Sequence, residues 1–204
     1  MEIVLERFIV DIHSMMWEEL RMTTPVISQF NQVDDCADET SPVSITSLIK
    51  QLEDKDRFIR LQARETLVCI GEAAVSELVK TLETANTSLR WQIIKILECI
   101  QDPETAPILV EQLKDDDAGV RWAASDALIA LREQAIPSLL KALIKDFDSS
   151  WLRRGAHHIL HVLKDAGRLN KSEVAVYEAL EDIEPISSVP WAAQKALASL
   201  EVKK

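Results

Sequence analysis

A short pattern recurs four times in this chain, at intervals of 30, 31 and 32 residues. Each copy is an aliphatic residue followed by arginine and then by an apolar face that ends in leucine. The copies begin at Ile59-Arg60, Leu89-Arg90, Val120-Arg121 and Leu152-Arg153, and a divergent fifth copy begins at Val189-Pro190. A unit of this length cannot bury its own apolar face, so a fixed period is typical of stacked repeats that share one core. The pattern predicts a repeat solenoid.

Two helices are predicted in each repeat. From the aliphatic residue onward, apolar or small residues recur at +3, +4, +7, +8 and +11, as in Val120, Ala123, Ala124, Ala127, Leu128 and Leu131. At about 100° per residue these positions lie on one side of a helix. A second apolar stripe precedes each copy, for example Ile136, Leu139, Leu140 and Leu143. The sequence therefore predicts an all-α fold of about five helical pairs over residues 44–204.

Helix starts are predicted from capping chemistry. Asp102 precedes Pro103 and Glu104, which places an N-cap, a proline and an acid in the order that a helix start favours. Further predicted caps are Asp56, Ser149 and Ser172. The link 164–171 is longer than the other turns between repeats, so we expect it to kink the array.

The first 43 residues differ from the repeats. Residues 1–22 are predicted to form an N-terminal capping helix, with one apolar side made of Leu5, Phe8, Ile9, Ile12 and Met16. Residues 23–43 are polar and acidic and are predicted to be a flexible linker. Composition leaves open a second interpretation, in which the first helix is a detachable segment that binds a partner.

Composition narrows the class of partner. The chain has 23 Lys and Arg against 34 Asp and Glu, a net charge of −11. Binding to nucleic acid or to an anionic membrane needs a basic face, so neither partner is expected. Three cysteines are too few for a disulfide framework, the acidic N-terminus is unlike a signal peptide, and no apolar run is long enough to span a bilayer. A cytoplasmic protein is predicted.

The position directly after the repeated arginine is the first candidate for a binding site. It is occupied by Leu61, Trp91, Trp122 and Arg154, and by Trp191 after the proline of the fifth copy. This position points away from the apolar stripe, and exposed indole rings provide large contact area at low conformational cost. The pattern predicts a partner-binding groove. The alternative interpretation is that these tryptophans partly cover neighbouring helices.

Three histidines share one predicted helix with Arg154, namely His157, His158 and His161. Spacing of i, i+4 would allow two of them to bind one metal ion, but no carboxylate stands at the right interval on this helix and the HExxH motif is absent. We therefore predict no metal and no cofactor. Instead, the histidines are expected to form a basic, hydrogen-bonding patch with Lys164, Arg168 and Lys171, suited to an acidic segment or a carboxylate. Such binding would depend on pH.

Residues 113–128, and more loosely 52–67 and 82–97, resemble the HEAT-repeat family, in particular the short-repeat branch named after phycobilisome lyases. The resemblance covers roughly residues 44–200. It implies a right-handed α-α superhelix whose second helices line the concave surface.

Family resemblance also implies a role for the repeated arginine, which would pair with an aspartate before the second helix of its repeat. Asp54 with Arg60 and Asp115 with Arg121 match that spacing, whereas Thr84 leaves Arg90 to find another partner. Pro190 replaces the arginine in the fifth copy, which is therefore predicted to be a C-terminal cap.

These observations predict a non-catalytic adaptor that binds a protein partner along the concave groove, in a hetero-oligomer. The residues assigned to the groove are Trp91, Trp122, Arg154, Trp191, His157, His158 and His161. The sequence contains no glycine-rich phosphate loop and no nucleophile elbow. The alternative, implied by the resemblance, is a subunit of a bilin lyase that handles an open-chain tetrapyrrole on a phycobiliprotein. A third class, HEAT-like DNA glycosylases, is disfavoured by the negative charge.

Overall fold

The computed structural model describes residues 42–201, in which every regular element is helical. The α-helices are α1 Pro42–Gln51, α2 Arg57–Ile70, α3 Glu72–Leu82, α4 Thr87–Ile100, α5 Ala106–Gln112, α6 Ala118–Leu131, α7 Ile136–Lys145, α8 Ser150–Asp165, α9 Lys171–Leu180 and α10 Pro185–Glu201. Short 3₁₀ turns at Pro103–Thr105 and Arg132–Ala135 lead into α5 and α7. The predicted all-α fold is confirmed. The predicted capping helix (1–22) and linker (23–43) fall outside the described residues, apart from the first two residues of α1.

Consecutive helices form five antiparallel pairs, and the pairs stack in two layers. Along one side α2, α4, α6 and α8 pack against one another in that order, and we call them the second-helix layer. On the other side α1 packs against α3, and α5 against α7. This arrangement is a HEAT-like solenoid.

Layer order changes in the last pair. The repeat pattern predicts that α10 follows α8 in the second-helix layer, but α10 packs against α7, and α9 takes the place beside α8. In the turn after α8, Gly167 has a φ of 67° and the N–H of Arg168 donates to the carbonyl of Leu163 at 2.9 Å. This left-handed glycine ends α8, and α9 then packs beside α8.

The apolar stripes predicted from the sequence form the core. All six stripe residues of the third copy are buried, from Val120 to Leu131. Gly155 of α8 lies close to Leu113, which directly follows α5. A Cβ atom at Gly155 would lie 3.0 Å from Cδ2 of Leu113, which is itself 1% exposed.

Three of the four predicted caps are confirmed. The side chain of Asp56 accepts from the N–H of Phe58, that of Asp102 from Glu104, and that of Ser149 from Leu152. The prediction for Ser172 is wrong, because this residue lies inside α9. Asn170 caps α9 instead and forms a reciprocal capping box with Glu173.

Arginine pairing differs from the pattern that the resemblance implies. Nη1 of Arg60 donates to the main-chain carbonyl of Asp54 at 2.7 Å, and Nη1 of Arg121 does the same to Asp115 at 2.7 Å. Both arginines therefore cap the preceding turn instead of pairing with a carboxylate. The Asp115 carboxylate binds Arg90 of the preceding repeat, with Oδ2 at 2.8 Å from Nε and Oδ1 at 3.1 Å from Nη2. An ion pair with one hydrogen bond, donated by Nη2, thus joins adjacent repeats.

Candidate partner-binding surface

Trp91 and Trp122 occupy equivalent positions on α4 and α6, which are neighbours in the second-helix layer. Trp91 is 40% exposed. Trp122 is half-buried because its ring stacks on His158 of α8, with 4.9 Å between centroids and 29° between planes. Trp91 is therefore open to solvent, as the predicted groove requires, whereas Trp122 partly covers the next helix; the binding role of the tryptophans stays a prediction.

On α8 a stripe of aromatic and basic residues lies opposite the buried face. Trp151, Arg154, His158 and His161 follow one another at intervals of three and four residues, which places them on one side of the helix. The buried side of α8 is made of Leu152, Ala156, Ile159, Leu160 and Leu163. We call Trp91, Trp122 and this α8 stripe the aromatic surface.

Trp151 is a member of this surface that the sequence interpretation missed. It is 44% exposed, and the guanidinium of Arg121 lies 3.8 Å from the centre of its ring. The guanidinium of Arg154 lies 5.6 Å from the same ring. Two cations beside one exposed indole form a cation–π cluster between α6 and α8. The only sequence signal for it is an aromatic residue directly before the repeated aliphatic position.

A second cluster joins α8 to α9 around Tyr177, the single tyrosine of the chain. The Tyr177 ring stacks on His157 at 5.1 Å and on His161 at 5.9 Å between centroids. Nζ of Lys164 lies 4.1 Å above the ring, and the tyrosine hydroxyl donates to Oε1 of Glu181 at 2.6 Å. Tyr177 is buried, and its i, i+4 spacing to Glu181 is the sequence signal for this hydrogen bond.

Hydrogen bonding and burial shift the pKa values of this region. The bond to Glu181 raises the pKa of Tyr177 to about 12, because the phenol donates to a carboxylate that would repel a phenolate. The same bond, with His157 beside it, lowers the pKa of the Glu181 carboxyl. Burial under Trp122, and then the neighbouring His161 and His157, lower the pKa of His158. A lowered pKa favours neutral His158, so its ring stacks on Trp122 without a charge.

The Tyr177 pKa predicts a loss of stability at high pH. The unfolded chain releases the phenolic proton near pH 10, whereas the folded chain holds it to about pH 12. A raised pKa in the folded state stabilises the fold below the lower value, and this contribution is lost as pH rises between the two. Because Glu181 is half exposed, we expect a loss of only about 1 kcal/mol. Urea unfolding from pH 9 to 11.5 measures it, and the drop should vanish in Tyr177→Phe. An equal drop in this variant would contradict the assignment.

Trp191 is not part of the aromatic surface. It is 67% exposed, but it lies on α10, which packs against α7 in the other layer. Two residues of the predicted basic patch are also placed elsewhere. Arg168 forms an ion pair with Glu133 at 3.1 Å, and Lys171 lines a groove between α9 and α10.

Two of the three histidines lie beside carboxylates. His157 lies 3.4 Å from Glu181, and His161 lies 3.6 Å from Asp165. In the part of the chain that the structure describes, no group of three His, Cys, Asp or Glu side chains could hold a metal ion. Nor does any helix of residues 42–201 combine the length and the apolar character that crossing a bilayer requires.

Comparison with known protein families agrees with this architecture. Residues 75–160, which run from α3 into α8, match the family of HEAT repeats. This segment is therefore similar to HEAT repeats, a class of helical repeat that commonly serves as a scaffold for protein interactions. The match is to HEAT repeats in general, so the likeness to the phycobilisome lyase branch stays a prediction. No curated protein matches the chain.

Proposed function

We propose that this chain is a non-catalytic adaptor that binds a protein segment on the aromatic surface. The observation that carries the proposal is the Trp151 cluster beside the Trp122–His158 stack. It places two indole rings and two arginines on adjacent helices of one layer. Large rigid aromatic side chains and arginine are the residue types that dominate binding energy at protein interfaces.

Charge on this surface supports a partner with acidic and aromatic residues. Arg121 and Arg154 lie beside Trp151, and Lys164 lies over Tyr177 at the end of the stripe. These cations are grouped together on a chain whose net charge is −11. An acidic segment would be attracted to them, and its apolar side chains could pack on Trp91 and Trp151.

Site-specific cross-linking in cells that naturally produce the chain tests this proposal. A photo-reactive phenylalanine analogue placed at position 91 or at position 154 is expected to trap the same protein. Adding Trp151→Ala should lower the cross-linking yield roughly tenfold, the effect of losing about 1.4 kcal/mol of binding energy.

A matched control uses Lys80 of α3, whose side chain is 77% exposed and belongs to the other layer. The analogue at position 80 should trap no common protein. Equal trapping from positions 80 and 91, or an unchanged yield in a folded Trp151→Ala variant, would contradict a role for the aromatic surface.

A further inference from the structure

A groove of about 470 Å³ lies between α9 and α10, on the opposite side of the last helical pair from its contacts with α7 and α8. Its apolar lining consists of Ala175, Ala179, Ala192 and the ring of Trp191. No helix in residues 42–201 covers Trp191, which is 67% exposed. We propose that a second copy of this chain occupies the groove, in a two-fold symmetric dimer.

Large apolar side chains are exposed on this last helical pair. Trp191 lines the groove, and Ile183 and Ile186, in and after the turn that joins α9 to α10, are 97% and 53% exposed. Exposed apolar side chains favour interaction with a partner, because water is released when they are covered.

Charges along the groove are separated by sign. The side-chain oxygens of Ser172 and Ser199 lie 3.0 Å apart at one end, and the Ser188 hydroxyl donates to the carbonyl of Ala179 at 3.2 Å near the other. This antiparallel pairing places Lys171 and Lys195 in the first half of the groove, and Glu178 and Asp182 in the second half.

The four charged side chains are all exposed, and none forms an ion pair within the described residues. A groove with one basic half and one acidic half complements itself. A two-fold axis through its centre brings the lysines of one copy against the acids of the other, twice over.

The small side chains that line the groove fit the same symmetry. The axis would bring Trp191 of each copy towards Ala175 and Lys195 of the other, where alanine leaves room for the indole ring. Lys195 already lies 5.3 Å from the ring centre of Trp191 in its own chain. A partner with one sign of charge, such as a nucleic acid, would meet repulsion in one half of the groove.

Sedimentation equilibrium of the full chain tests the dimer. In about 0.15 M salt, where long-range repulsion between negative chains is screened, we expect the mass to rise from 23.0 kDa towards twice that value with concentration. Trp191→Ala should weaken association at least tenfold, whereas Trp91→Ala, on the aromatic surface, should leave it unchanged.

Two charge-reversal variants make the test specific to self-complementarity. Lys171→Glu with Lys195→Glu makes the whole groove acidic, and Glu178→Lys with Asp182→Lys makes it basic. Each folded variant should be monomeric alone, and an equimolar mixture should form a heterodimer. A wild-type chain that stays monomeric up to about 1 mM, or variants that dimerise alone as well as wild type, would overturn the proposal. Neither outcome bears on the adaptor function, which uses the aromatic surface on α4, α6 and α8.

Discussion

Replacing Leu128 by alanine is expected to lower the free energy of unfolding by about 3 kcal/mol. Leu128 is 0% exposed and lies on α6, the central helix of the second-helix layer, which packs against α4, α5 and α8. Truncation removes buried methyl groups and leaves a cavity between repeats that the stacked helices cannot close completely. Chemical denaturation followed by circular dichroism measures the loss.

Leu61→Ala is the matched control for Leu128→Ala. Leu61 is the same residue type on a helix of the same layer, but it is 37% exposed, so its truncation should cost about 0.5 kcal/mol. In a solenoid, stability is carried by contacts between neighbouring repeats. A Leu128 variant no less stable than the Leu61 variant would mean that α6 is not the packed centre of the array.

The second large effect is expected from Asp115→Ala, at about 2–3 kcal/mol. The Asp115 side chain is 9% exposed, accepts a hydrogen bond from Nη2 of Arg90 across the boundary between repeats, and lies 2.8 Å from Nε of the same guanidinium. Its Oδ1 also accepts from the N–H of Asp117 at 2.8 Å. Removing the carboxylate leaves a half-buried guanidinium without its counter-ion and a turn without its main-chain acceptor. Thermal and urea unfolding both report this loss.

Asp116→Ala provides the control for this ion pair, because Asp116 is exposed and it is its main-chain carbonyl that accepts a hydrogen bond from Arg121. It should change stability by less than about 0.5 kcal/mol. A double-mutant cycle with Arg90→Met should give a coupling energy of about 1–2 kcal/mol between Arg90 and Asp115. A coupling energy near zero would show that the pair does not join the repeats.

Local patterns predicted the helices and their starts well. The stripe from Val120 to Leu131 is buried as expected, because helix periodicity is a property of about ten consecutive residues. Asp56 and Ser149 cap the helices that they precede. The prediction that Ser172 caps α9 was wrong. Asn170, two residues earlier, is the cap: its side chain accepts from the main-chain N–H of Glu173, and the Glu173 side chain accepts from the main-chain N–H of Asn170. Serine and asparagine both favour caps, and only this reciprocal bond decides between them.

Partners of charged and aromatic side chains were harder to predict. Asp115 stands six residues before Arg121, which suggested a pair within the repeat, yet its carboxylate binds Arg90, 25 residues earlier. Trp151 was overlooked because its significance comes from Arg121 on a neighbouring helix. Contacts between repeats depend on how far one helix is shifted along the next. The spacing of residues within one repeat gives no information about that shift.

Helix periodicity was enough to predict a stack of helical pairs, the apolar face of each helix, and indole rings that lie outside most of those faces. Periodicity did not show that α9, not α10, continues the second-helix layer, or that Trp191 is therefore separated from Trp91 and Trp122. An amphipathic helix can bury its apolar face in either layer, and the packing of α9 against α8 and of α10 against α7 selects one of them.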